Sequence, residues 1–252
     1  MTIELIFAFM FFIFGTVIGS FLNVCIYRIP KGEDIVFGRS HCMNCGYQLT
    51  SKDLVPLLSY ILLKGRCRQC NAKLSMQYPL IEALNGVLYL AIFLIIGFNY
   101  LAILYCLLSS ALLTLSMIDF RTYEIPPGIN IFILALGLIR LFFEWPDFMP
   151  YVIGFFAVSV FLEIILLISG GRAIGGGDVK LMATAGLLIG YKNIILAFVL
   201  ACILGSIIHI LRMKLTNAEN VLAMGPYLSL GIFISALFGN EIISWYIGFI
   251  WQ

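Results

Sequence analysis

Between Leu5 and Cys25 the chain runs for 21 residues without a charge. Seven further apolar runs follow: Leu80 to Ile96, Leu101 to Ile118, Ile129 to Phe143, Tyr151 to Ile168, Val179 to Gly190, Ile194 to Leu211 and Tyr227 onward. A bilayer core of about 30 Å is crossed by about 20 apolar helical residues. Lipid offers no partner to backbone N–H and C=O groups, so a spanning segment must satisfy its own. Repeated apolar runs of this length therefore specify helices. Charged residues make up only 11% of the chain and hydrophobic ones 62%, against about 25% charged in a soluble domain. The expected fold is an all-α polytopic membrane protein of about eight transmembrane helices.

The first run has neither a basic leader nor an Ala-x-Ala exit, so it reads as a retained helix and not a cleaved signal peptide. Its Gly15 and Gly19 form a small-xxx-small face for close helix packing. At the other end, Ile242 to Trp251 either extends the last helix or lies in the membrane interface. Residues 1–26 are expected to be the first transmembrane helix, 27–78 a cytoplasmic loop, and 79–252 a core of seven helices. The net charge of +2 gives no ground for a nucleic-acid partner; the lipid bilayer is the partner that composition demands. Oligomeric state leaves no mark in the sequence.

Orientation follows from the basic residues, because Lys and Arg in short loops stay cytoplasmic. With the segment from Tyr27 to Tyr78 inside, thirteen of the 15 basic residues are cytoplasmic, leaving only Arg140 and Lys192 outside. The count depends on Val179 to Gly190 being a crossing, since without it Arg212 and Lys214 change sides. Both termini are then extracytoplasmic.

That polar segment holds Cys42-x-x-Cys45 and Cys67-x-x-Cys70. Two CxxC knuckles at this separation have the spacing of a four-thiolate zinc site. Gly46 and Asn71 each follow a knuckle and suit its tight turn. Four sulfur ligands leave no open position, so the expected zinc is structural. Cys25, Cys106 and Cys202 lie in apolar runs and read as small packing residues.

Gly175, Gly176 and Gly177 precede Asp178, and the twelve apolar residues from Val179 to Gly190 follow. Twelve helical residues span about 18 Å, well short of the bilayer. Asp178 is therefore expected below the membrane surface, where an acid is functional by default and calls for a partner. That partner is Asp119, which closes the third run on the same side. Two adjacent carboxylates cannot both ionise cheaply, so one holds a proton while the other acts as base, which is the chemistry of an aspartic protease. Glycines before Asp178 leave room for an extended peptide. Plainer readings stand beside these: a helix-end charge for Asp119, an N-terminal cap for Asp178, a surface marker for Lys180. A transporter using both aspartates for ions or protons is the alternative from another class.

Together these residues resemble the type IV prepilin leader peptidase and N-methyltransferase family, integral-membrane aspartic peptidases with a Gly-x-Gly-Asp signature. Gly19 to Val24 with Tyr27-Arg28-Ile29-Pro30 resembles its amino-terminal box, and the cysteine quartet has its zinc-loop spacing. Tyr78-Pro79-Leu80-Ile81-Glu82 resembles the segment after that loop. Ile118-Asp119 with Ile125-Pro126 resembles the first catalytic motif, and Gly175 to Leu181 the second, with Gly175, Gly177 and Lys180 as its supporting turn. Gly225-Pro226-Tyr227-Leu228 resembles the late box, with Met224 where Phe is frequent. The resemblance implies cleavage of prepilin or pseudopilin precursors at the cytoplasmic face of the bacterial inner membrane. It further implies methylation of the new amino terminus from S-adenosylmethionine, with Glu82 and Gly86 as candidate residues; a helix-end charge is the plain reading of Glu82. Glu163, deep in the fifth run, reads as a buried acid without an assigned partner.

Overall fold

A computed structural model describes residues 2–216 and 222–250. Its regular structure is helical: α1 (Thr2–Arg28), α2 (Leu58–Leu62), α3 (Gln77–Ile96), α4 (Tyr100–Thr122), α5 (Pro127–Phe143), α6 (Met149–Ala157), α7 (Ser159–Ser169), α8 (Gly176–Ile189), α9 (Tyr191–Thr216) and α10 (Gly225–Ile250). Among the described residues the only β pairing is two isolated bridges, His41 with Gln48 and Arg66 with Lys73. Six helical stretches are long and apolar enough to cross a membrane, while the apolar helix α5 is shorter. Helix α8 has 14 residues. Of the eight expected spans, six are long enough to cross, and α5 and α8 are shorter. The chain divides into two compact units, Met1–Ser110 and Ala111–Gln252.

In the first unit α1 packs along α3, and the expected small face makes that contact. A Cβ added to Gly15 would stand 2.8 Å from the Asn85 carbonyl oxygen, and one on Gly19 would stand 2.8 Å from the Glu82 Cα. Gly86 answers from α3, where a Cβ would meet the Thr16 Cγ2 at 2.7 Å. A polar chain crosses this seam. Asn85 Nδ2 donates to the Gly15 carbonyl at 2.7 Å, and the Ser110 hydroxyl donates to Asn85 Oδ1 at 3.0 Å. Such satisfied bonds pin helices in an apolar medium, where apolar contact alone discriminates poorly.

In the second unit α8 is the centre. Every residue from Leu181 to Ile189 is buried, as expected of a helix that is apolar on all sides. It packs chiefly on α5 and α6, and Gly186 and Gly154 touch backbone to backbone. Arg140, buried near the end of α5, donates to the Tyr151 hydroxyl of α6 at 2.8 Å.

Three expectations are adjusted. The fifth run is not one helix: it breaks at Val158 between α6 and α7, where the Ser159 hydroxyl bonds back to the Phe155 carbonyl, an arrangement that bends helices. Glu163 is exposed on α7, not buried, because the burial of that helix falls on Ser159 and Leu162. Helix α8 begins at Gly176, so Asp178 lies inside its first turn and is not its N-cap. At the chain's end α10 continues unbroken to Ile250, so Ile242 onward extends the last helix; Trp251 lies outside the described residues.

Candidate active site and metal centre

The four cysteines of the polar segment converge. Their sulfur atoms all lie within 4.8 Å of one another, with Cys42 and Cys70 at 3.8 Å and Cys45 and Cys67 at 4.0 Å. A tetrahedron of sulfurs at about 2.3 Å from zinc has edges of about 3.8 Å. The donor set therefore fits that ion.

Two copies of one turn build the cluster. In the first, the Cys42 N–H donates to the Tyr47 carbonyl and the Gly46 N–H to the Cys42 carbonyl; in the second, Cys67 pairs with Ala72 and Asn71 with Cys67 in the same way. Gly46 (φ 71°) and Asn71 (φ 56°) take the left-handed conformation the turn needs. Backbone N–H groups of Cys45 and Asn44 lower the Cys42 thiol. Cys70 is drawn down to about 6, first by the Ala72 N–H and then by the Asn44 side chain. Cys42 and Cys70, so placed, give up protons readily to a metal. Beside them Asp53 binds Arg68 at 2.6 Å. Burial would raise the Asp53 carboxyl, but the bonds from Arg68 and Thr50 outweigh it and hold it at about 2.

Glu82 is buried, and its Oε2 accepts the Leu57 N–H at 2.8 Å. Its partners are the Leu57 backbone amide and the Ser20 hydroxyl. Leu57 has φ 61°, an unusual conformation for a branched side chain, so the carboxylate ties a strained point of the loop to α3. A cavity of about 590 Å³ opens here, lined by Ser20, Tyr27, Tyr60, Tyr78 and Glu82 among others. Its size suits a drug-sized ligand, and its lining carries both signs of charge, Glu33, Asp53 and Glu82 with Arg28, Arg66, Arg68 and Lys73. Gly86 has a packing role between α1 and α3.

The second unit brings Asp119 and Asp178 together closely enough for the charge of one to act on the other. Asp119 lies one turn from the end of α4 and is only 4% exposed, whereas Asp178 is half-buried. A glycine serves each carboxylate. The Gly225 N–H, at the start of α10, donates to Asp119 Oδ2 at 2.8 Å; the Gly175 N–H reaches the Asp178 carboxylate. A Cβ on Gly225 would stand 2.7 Å from Asp119 Oδ2, and one on Gly175 would stand 3.1 Å from Asp178 Oδ2. No other residue allows the first approach without displacement. Gly177 lies against Ile125, where its Cβ would come within 2.8 Å of the Ile125 Cβ. Lys180 is exposed. The sequence gives no role to Gly225, which lies in the late box and donates to Asp119 here.

The chain is similar to known proteins over most of its length. The model of the bacterial peptidase A24 N-terminal domain matches residues 13–96, and that of the type IV leader peptidase family matches residues 106–210. The prepilin leader peptidase/N-methyltransferase of Bacillus subtilis is 32% identical over 94% of this chain and 96% of its own length. Its Pseudomonas putida namesake is 30% identical over 91% of this chain and 90% of its own length. The one from Pseudomonas aeruginosa is 29% identical over 93% and 91%. No solved structure matches.

Proposed function

The chain belongs to the type IV leader peptidase family, and from that premise we propose that Asp119 and Asp178 are the pair with which it removes the leader from prepilin or pseudopilin precursors. The chain is a peptidase, and nothing in the comparisons supports the transporter alternative. The observations that support the site assignment are the charge of Asp119 acting on Asp178 and the Gly225 N–H donating to Asp119.

With one proton between them, the ionised carboxylate takes a proton from water while the protonated one donates to the scissile carbonyl oxygen. The resulting gem-diol collapses as one of its hydroxyls gives its proton to the second carboxylate and the first carboxyl returns its proton to the leaving nitrogen, and the C–N bond breaks. One water is consumed and the pair is restored. A precursor held by its own apolar helix in the same bilayer arrives prepositioned, which lowers the entropic cost of attack. Counting α5 and α8 as crossings gives eight spans, the basic residues then favour a site toward the cytoplasm, and family membership favours the bacterial inner membrane. The supporting turn is Gly175, Gly177 and Lys180.

Cys42, Cys45, Cys67 and Cys70 hold a structural zinc that closes the 27–78 loop. S-adenosylmethionine, when bound, supplies an electrophilic methyl group. The cavity beside Glu82 has the volume to hold such a group, and Gly86 lies one turn further along the same helix. Methylation of the new amino terminus is the second activity proposed.

The test is to incubate the purified chain in detergent with a prepilin-like precursor and weigh the products. The expected result is a single cut at the leader junction, made poorly when the precursor's apolar helix is deleted. Absence of any cut from the intact precursor would contradict the assignment.

A further inference from the structure

Asn130, in the second turn of α5, stands beside the Asp178 turn and is only 4% exposed. Its Nδ2 donates to the Gly177 carbonyl over a long 3.5 Å. That carbonyl belongs to the peptide unit whose nitrogen is Asp178's own, so restraining it restrains the direction in which Asp178 leaves the turn. Ile125, five residues earlier, packs against the same Gly177. The Gly177 carbonyl also fixes which way the Asn130 amide faces, since a flipped amide would set oxygen against oxygen.

The other end of the amide is unused. Asn130 Oδ1 is buried and has no hydrogen-bond partner among the described residues. Buried acceptors are costly to leave unmade, and an exception in a folded chain calls for a reason. In the turn before Gly177 the backbone is open: Gly175 and Gly176 are exposed, and a Cβ on Gly176 would meet nothing within 4 Å. An extended peptide laid along such a stretch presents backbone N–H groups at every second residue.

We propose that Asn130 is a substrate-positioning residue of the peptidase: its Nδ2 steadies the peptide unit that carries Asp178, and its Oδ1 accepts a backbone N–H from the extended precursor segment. This rests on the reading of Asp178 as catalytic. A site built to pair a substrate N–H discriminates against an analogue that lacks it.

The experiment measures kcat/KM for the full-length protein in detergent on a prepilin-like precursor and on analogues in which one peptide N–H near the cut, never the scissile one, is replaced by an ester oxygen. In the native chain one ester position is expected to cost about 10- to 100-fold. Asn130→Leu, of similar size, is expected to lose about as much on the ordinary peptide and nothing further on that ester. A merely structural role would lower both substrates equally and leave the ester penalty in place, which would overturn the proposal. If Asn130→Leu does not fold, the native ester scan decides alone: a scan flat within about twofold would mean that Oδ1 receives no substrate N–H. Asp119→Asn and Asp178→Asn run beside it. Should both retain cleavage, the reading of the aspartate pair fails; should both be inactive while the scan is flat, only the role of Asn130 fails.

Discussion

The cysteine cluster and the aspartate pair are built on opposite plans. All four sulfur ligands fall between Cys42 and Cys70, and the backbone bonds that shape each knuckle join near neighbours in sequence, such as Leu49 to Ser40 and Leu74 to Gly65. The aspartate pair draws on Asp119, the turn before Asp178 and the start of α10, with Gly225 and Asp119 separated by 106 residues. One site needs little more than a loop and an ion; the other needs a whole helical unit in place. Damage to the first should therefore stay local and reversible by metal, while damage to the second should destroy chemistry without touching the metal.

The largest expected effect breaks the pair. Asp119→Asn or Asp178→Asn should each lower the single-turnover cleavage rate by about 10³-fold or more, with zinc content and helicity unchanged. A loss of zinc in either variant would dissolve the distinction between the two plans. Next comes Gly225→Ala, which drives a methyl group against Asp119 Oδ2 and should cost about 10²-fold in rate. Gly175→Ala should cost less, about tenfold at most, because the approach there is 3.1 Å and its φ of −78° suits any residue. Equal effects at the two glycines would mean that close approach to Asp119 is not what Gly225 provides.

Cys67→Ser tests the other plan. Atomic absorption should show the zinc gone, and proteolysis should open the 27–78 loop while the helical remainder resists. The smallest contrast lies within the knuckles. Gly46→Ala, at φ 71°, should weaken zinc retention by about 1 kcal/mol, whereas Asn71→Gly, at φ 56°, should be close to neutral. Competition with a metal indicator measures both.

The same contrast explains what could be read from the sequence. CxxC spacing and the residues after each knuckle are local, so Cys42, Cys45, Cys67, Cys70, Gly46 and Asn71 are legible in the chain alone. Apolar runs locate the helices, and matching membrane side suggests that Asp119 and Asp178 meet. Three features are not legible there because each depends on how the chain folds. Glu82 meets the Leu57 amide only when the loop folds back on α3. Gly225 matters because α10 begins at the Asp119 carboxylate. Glu163 is exposed because the break at Val158 starts a new helix, and run length alone cannot show a helix's rotation. Asn130 gives no signal at all, since an amide in an apolar run does not announce what it faces.

The central claim is that the two aspartates act as one unit, and the most direct test is the double variant. Single-turnover cleavage, with enzyme in large excess, should be measured for Asp119→Asn, Asp178→Asn and both together. Residues that act as a unit are strongly non-additive. The account predicts that the double variant is no slower than the slower single one. Losses that multiply would show two carboxylates working independently and would contradict the pair.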